Sequence, residues 1–299
     1  MLKSARAAVT ALTFFCALSL AAASLAASLP IGKSRATIEV DGIEIDVYTF
    51  KPQHYAGRGL LLTLHGVGRN ASGYRDHAIP IAQRHGYLVA APLFDRKRFP
   101  TWRYQHAGVV PPAGARETGA LEPAPEEAWM GHVFLKLIDA VRRLEATPQL
   151  PYYMLGHSGG AQSLSRVAAL MATDSKRVVL ANPGTYLWPS REHRFPDGFG
   201  GLPPRWSNDD ALRLYLAQPL TLLLGTADVK QDADLSMRES VVAQGENRYQ
   251  RGLNAYRAAQ ALANANGWPF NWKLIEVPDV GHSAARMFRS VEAALALQD

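Results

Sequence analysis

Tyr152-Tyr153-Met154-Leu155-Gly156-His157-Ser158-Gly159-Gly160-Ala161 is the stretch from which the rest of the chain can be read. An apolar run rich in strand formers ends at Gly-His-Ser-Gly-Gly, and a helical pattern covering 162–171 starts at once. Strand, sharp turn carrying a serine, then helix is the context a Gly-x-Ser-x-Gly turn requires. The serine in such a turn takes a strained backbone conformation. Gly156 and Gly160 flank it because a Cβ at either place would collide with the neighbouring strand or helix. The turn lifts the hydroxyl clear of the sheet edge, and the helix N-terminus directs its dipole at the same point.

Working outward, the pattern of buried strands repeats. Upstream, 36–40 and 43–48 alternate apolar and polar about Asp41-Gly42, which predicts a hairpin at a sheet edge. Runs 59–64, 87–92, 177–182 and 220–224 are almost continuously apolar, as strands covered on both faces are, and 272–277 reads as the last strand. Helical spacing fills 74–85 (interrupted at Pro80), 128–146, 247–265 and 284–297, the last as one amphipathic helix. The expectation is an α/β fold: a doubly wound, mostly parallel sheet with helices on both faces. Two long irregular insertions, about 94–126 and 183–219, are expected to form a cap beside the strand ends.

A nucleophilic serine needs a base for its proton, an acid that holds the base in one tautomer, and donors for an oxyanion. In such a sheet all must come from loops at the C-terminal strand ends. Asp228 stands three residues past the glycine closing strand 220–224, and His282 follows the last strand in Val280-Gly281-His282-Ser283. Asp232 and Asp234 share the loop with Asp228 but lie among further polar residues and are expected to turn to solvent. The three carboxylates lack the glycine and glutamate of a calcium loop, so no metal site is expected. His157, beside the serine, is expected to point away from the reacting atoms.

With Ser158, Asp228 and His282 in that order, and His65-Gly66 after an earlier strand, the chain from about 37 to 297 resembles an α/β-hydrolase, an exported esterase in particular. That resemblance implies a serine hydrolase with Ser158, Asp228 and His282 as catalytic residues, an oxyanion hole from the N–H groups of Val67 and Gly159, and no cofactor. The His65-Gly66 loop and the tryptophan-bearing insertions also resemble esterases of the feruloyl-esterase and polyester-depolymerase kind, which usually carry a cysteine where this chain has Val67. Arg69, Asn70, Trp102 and Trp188 are candidate substrate contacts; Arg69 and Asn70 could equally serve the loop backbone. Tyr104 and Trp206 belong to the same aromatic set, for which packing under long loops is the competing account. The expected substrate is a small or polymeric carboxylic ester. A peptidase or amidase with the same three residues is the alternative, and a non-catalytic exported binding protein the alternative of another class.

The chain has 299 residues, 47% hydrophobic and 19% charged, which fits one large domain. Residues 1–26 read as a signal peptide: Lys3 and Arg6, an uncharged Ala- and Leu-rich run, then Ser24-Leu25-Ala26 with small residues where a signal peptidase reads. The hydrolase domain would be 27–299, in the bacterial periplasm or medium, with no stable membrane association after cleavage. Cys16, the one cysteine, lies inside the leader, so the mature chain would have no disulfide and no thiol nucleophile. Loss of Lys3 and Arg6 takes the formal charge from +6 to +4. The remaining basic residues are dispersed, which argues against a nucleic-acid partner.

Overall fold

The computed structural model describes residues 28–298; the expected leader, with Cys16, lies outside them. The first two strands, β1 (Gly32–Val40) and β2 (Ile43–Lys51), form the hairpin that Asp41-Gly42 signals. Both turn residues have positive φ, 52° and 76°, and Val40 pairs with Ile43. There follow β3 (Leu60–Leu64), α1 (Ala71–His85), β4 (Leu88–Pro92), α2 (Thr101–Tyr104), α3 (Met130–Leu144), β5 (Tyr152–His157) and α4 (Gly159–Leu170). The chain continues through β6 (Val178–Ala181), α5 (Asp209–Leu216), β7 (Leu220–Gly225), α6 (Glu239–Val242), α7 (Arg248–Asn266), β8 (Lys273–Val277), α8 (Ala284–Arg289) and α9 (Val291–Leu295).

The strands make one eight-stranded sheet in the order β1-β2-β4-β3-β5-β6-β7-β8. The hairpin is antiparallel to its neighbours, and β4 through β8 run parallel. Alternate side chains of the central strands feed two cores. Leu61, Leu155, Val179 and Leu223 pack beneath Ala78 and Ile81 of α1 and Met287 and Phe288 of α8. Leu62, Met154, Leu180 and Leu222 face α3, α4 and α7 on the other side. The continuous apolar runs of β3, β4, β6 and β7 have this physical cause, since neither face of these strands meets water. The expected doubly wound α/β class is the observed one.

Three local expectations are corrected. Helix α1 begins at Ala71 rather than 74 and runs unbroken through Pro80, whose exposed ring leaves the freed carbonyl on the solvent side. The closing helix is two, because Ser290 leaves the helical conformation (φ −68°, ψ 156°) and its hydroxyl caps α9 through Ala293 N–H at 3.1 Å. The insertion 183–219 is not wholly irregular. It contains α5, capped by Asn208 Oδ1 on Ala211 N–H at 2.9 Å and anchored by buried Leu212, Tyr215 and Leu216. Among the described residues no helix is long and apolar enough to cross a membrane.

Candidate active site

The turn after β5 is built as its glycines demand. A Cβ on Gly156 would lie 2.5 Å from the backbone carbon of Gly160, and one on Gly160 would lie 2.4 Å from the Leu64 carbonyl oxygen. Neither contact can be relieved without moving backbone. Between them Ser158 sits at φ 54°, ψ −118°, a strained conformation for a residue with a Cβ. Its amide donates to Ala181 O at 3.0 Å, which fixes the turn to β6.

His282 reaches Ser158 from the loop after β8. Its Nε2 lies 3.0 Å from Ser158 Oγ, and its Nδ1 lies 2.7 Å from Asp228 Oδ2. A carboxylate only accepts, so Nδ1 carries the proton and Nε2 is left to accept from the serine hydroxyl. Asp228 is 1% exposed. The loops after β7 and β8 are held in register by Thr226 N–H to Val277 O at 3.1 Å and Ala227 N–H to Val280 O at 3.1 Å. Gly225 allows this approach, since a Cβ there would meet Val280 O at 2.2 Å.

Two residues that sequence reasoning missed support this arrangement. Asn182, at φ 45° just past β6, accepts from Gly225 N–H at 2.8 Å and donates to Gly281 O at 3.4 Å, joining the loops of Asp228 and His282. Its place directly after a buried strand was the available signal. Arg248, at the first position of α7, is 1% exposed and lies 3.7 Å from Asp228 Oδ1. Asp232 is exposed, as expected, and is also the bidentate partner of that arginine at 2.6 and 2.8 Å. Hydrogen bonding to Arg248 holds its carboxyl below the usual range.

His157 does lie against the site. Its ring centroid is 4.7 Å from that of His282, and its Nδ1 is 3.1 Å from Tyr74 Oη. Burial, then the nearby His282, keeps it neutral far below the ordinary histidine range.

The loop after β3 approaches from across the turn. His65 is fully buried, accepts from Phe94 N–H at Nε2 (3.1 Å) and donates from Nδ1 to Gly66 O (3.0 Å). Burial pushes it down to about 4. Tyr104 Oη donates to His65 O at 2.7 Å, and Arg96 donates to Val67 O at 2.8 Å. Val67 N lies 3.4 Å from where a Cβ on Gly159 would stand, so the amides of Val67 and Gly159 are neighbours. Neither N–H has an acceptor among the described residues.

No family model matches the chain, and no curated protein matches it. Solved structures do. The poly(aspartic acid) hydrolase-1 of Sphingomonas sp. KT-1 is 30% identical, with a TM-score of 0.82 over 91% of this chain and 100% of that one. This chain belongs to the α/β-hydrolase fold serine hydrolases. The poly(3-hydroxybutyrate) depolymerase LpqC of Bordetella parapertussis is 28% identical, with a TM-score of 0.78 over 90% and 95% of the two chains. The S-formylglutathione hydrolase FrmB of Staphylococcus aureus, at 11% identity and a TM-score of 0.53 over 89% and 98%, shares the fold.

Beside Val67 the hydrolase has an open cleft of about 300 Å³, walled by Val67, Arg69, Arg96, Thr101, Gln105 and Asp234 among others. Arg69 borders it while holding the loop backbone, donating to Phe94 O at 2.8 Å and Phe99 O at 2.9 Å, with its guanidinium 4.4 Å above the Tyr104 ring. The side chain of Asn70 caps α1 through Gly73 N–H at 3.0 Å. Trp102 is half-buried on α2, and neither it nor Trp188 lines the cleft. Trp188 packs beside His193, with centroids 5.8 Å apart. Buried Tyr104 and Trp206 are packing residues, Trp206 lying 5.0 Å from the Trp129 ring. Among the described residues no three His, Cys, Asp or Glu side chains are grouped so as to hold a metal ion.

Proposed function

We propose that this serine hydrolase cleaves carboxylic esters through an acyl-enzyme on Ser158. The observation that carries the reading is the pair of hydrogen bonds, 3.0 Å from Ser158 to His282 and 2.7 Å from His282 to Asp228, at the tip of a strained turn. His282 Nε2 takes the hydroxyl proton as Oγ bonds to the acyl carbon. The carbonyl oxygen becomes an oxyanion facing the N–H groups of Val67 and Gly159, each such donor contributing about 10²–10³ in rate. His282 then gives its proton to the leaving alkoxide as the C–O bond breaks. Water, deprotonated by the same imidazole, attacks the acyl carbon and frees the acid and Ser158. Asp228 stays ionised and holds the imidazole in the required tautomer.

The depolymerase likeness supports a polymeric ester as substrate. A second reading is favoured by the 30%-identical poly(aspartic acid) hydrolase: an anionic polyamide, whose carboxylates Arg69 and Arg96 in the cleft wall would attract. A fluorophosphonate probe should label Ser158 and leave Ser163 and Ser165 of α4 unmodified. Turnover on paired ester and anilide substrates, then on a polyester and poly(aspartic acid), separates the two readings. Label on another serine overturns both. Residues 1–26 support export and a mature domain of 27–299 in the periplasm or medium. N-terminal sequencing that finds Met1 retained in a membrane fraction would make the protein anchored instead.

A further inference from the structure

The acid side of the site carries more charge than three catalytic groups need. The two oxygens of Asp228 are divided: Oδ2 faces His282 Nδ1 at 2.7 Å, and Oδ1 faces Arg248 Nη1 at 3.7 Å. Arg248 is as buried as Asp228, each side chain 1% exposed, so neither charge is relieved by water. Its guanidinium donates Nη1 and Nη2 to the two oxygens of Asp232, which is 43% exposed. The backbone repeats the connection, since Tyr249 N–H donates to Asp228 O at 3.2 Å. A buried arginine between one buried and one half-exposed carboxylate is costly unless both anions balance it.

We propose that Arg248 is a positioning residue that orients Asp228 and sets how much of its negative charge His282 experiences, and that Asp232 modulates it by sharing the guanidinium. The inference rests on Ser158, His282 and Asp228 acting together as read above. Its physical basis is that a cation on Oδ1 competes with the imidazolium for the same carboxylate. Strengthening that cation makes the imidazolium harder to form, and removing it makes the imidazolium easier to form. The other groups around His282 are Ser158 on Nε2, neutral His157 against the ring, and Asp279 and Arg286 near its own loop. Tyr186, held protonated by burial, is further on the Asp228 side. None of these is a second cation in contact with Asp228.

The test compares Arg248→Gln, Arg248→Lys, Asp232→Asn and Asp228→Asn, measuring ester kcat/KM and fluorophosphonate labelling rate against pH, with melting followed in parallel. A reaction that needs a general base loses rate on its acid limb. Arg248→Gln removes the competing cation, so the acid limb should move up by about one pH unit. Asp232→Asn removes an anion that His282 senses directly and leaves Arg248 to act on Asp228 alone, and both effects move the limb down, by about half a unit. Arg248→Lys keeps the charge and should stay near the parent limb. A merely structural clamp would lower rate and stability without moving the two limbs in opposite directions. If the limbs of Arg248→Gln and Asp232→Asn coincide with the parent, or move the same way, while Asp228→Asn is inactive, the role of Arg248 is refuted and the triad reading stands. If Asp228→Asn keeps near-parental activity, the triad reading itself fails. Should Arg248→Gln not fold, the downward shift of exposed-side Asp232→Asn and the unmoved limb of Arg248→Lys still decide.

Discussion

Asp228 and Asp232 show at the residue scale how one loop can hold two carboxylates with different work. Asp228 accepts from the His282 imidazole at 2.7 Å and so orients it; both oxygens of Asp232 accept from Arg248. Asp228→Asn keeps the volume but presents an amide, which can hold the wrong imidazole tautomer. The expected fall in kcat is about four orders of magnitude, the loss known for this substitution in a serine protease. Asp232→Asn touches no reacting atom, and ester turnover at the pH optimum should stay within about tenfold of the parent. Near-parental activity of Asp228→Asn with collapse of Asp232→Asn would reverse the assignment. Ser158, Asp228 and His282 were legible because each follows a strand of the parallel sheet at its C-terminal end. Arg248 was not, since a basic residue at the start of a helix reads like any solvated charge until α7 is seen to dock on the Asp228 loop.

At the scale of elements, the turn from β5 into α4 and the start of α1 give two contrasting predictions. Gly160→Ala would place a Cβ 2.4 Å from Leu64 O and 2.8 Å from His65 O, with only backbone to give way. A loss of about 3 kcal/mol or outright failure to fold should appear in urea unfolding. Asn70→Ala removes the cap on Gly73 N–H and should cost about 1 kcal/mol of stability. KM and kcat should stay at parental values if capping is all that Asn70 does; a rise in KM would restore it as a substrate contact. The periodic pattern located most elements, but their ends depended on caps. Asn70, Asn208 and Ser290 each start a helix through a side-chain hydrogen bond, and the apolar pattern marked none of these three starts.

For the whole molecule, burial of neutral imidazoles makes stability depend on pH. His65 is pushed down to about 4 in the folded protein, whereas an unfolded histidine titrates near 6.5. Between those values the unfolded chain binds a proton that the folded chain refuses, so stability is complete above about pH 6.5 and falls as the pH drops towards 4. His65 alone should cost about 2 kcal/mol at pH 5 relative to pH 7.5. Buried His157, also kept neutral, acts in the same direction. Urea midpoints measured across this range should fall steadily towards acid, and His65→Gln should flatten the slope if it folds. An unchanged midpoint from pH 7.5 to 5 would contradict the buried-neutral account of both rings.

By itself the sequence determined the central strands of the sheet, because strands buried on both faces must be largely apolar, and it determined the serine turn, because only glycine fits at 156 and 160. It also placed an acid and a base after the right strands. The sequence already favoured Asp228, three residues past Gly225; only the tertiary structure shows what holds that carboxylate, and not Asp232 or Asp234 of the same loop, against His282. That choice was made by β7–β8 register, by Asn182 joining the two loops and by Arg248 drawing Asp232 aside. Such contacts join segments far apart in the chain, and no local pattern encodes a partner that arrives only when the helix packs.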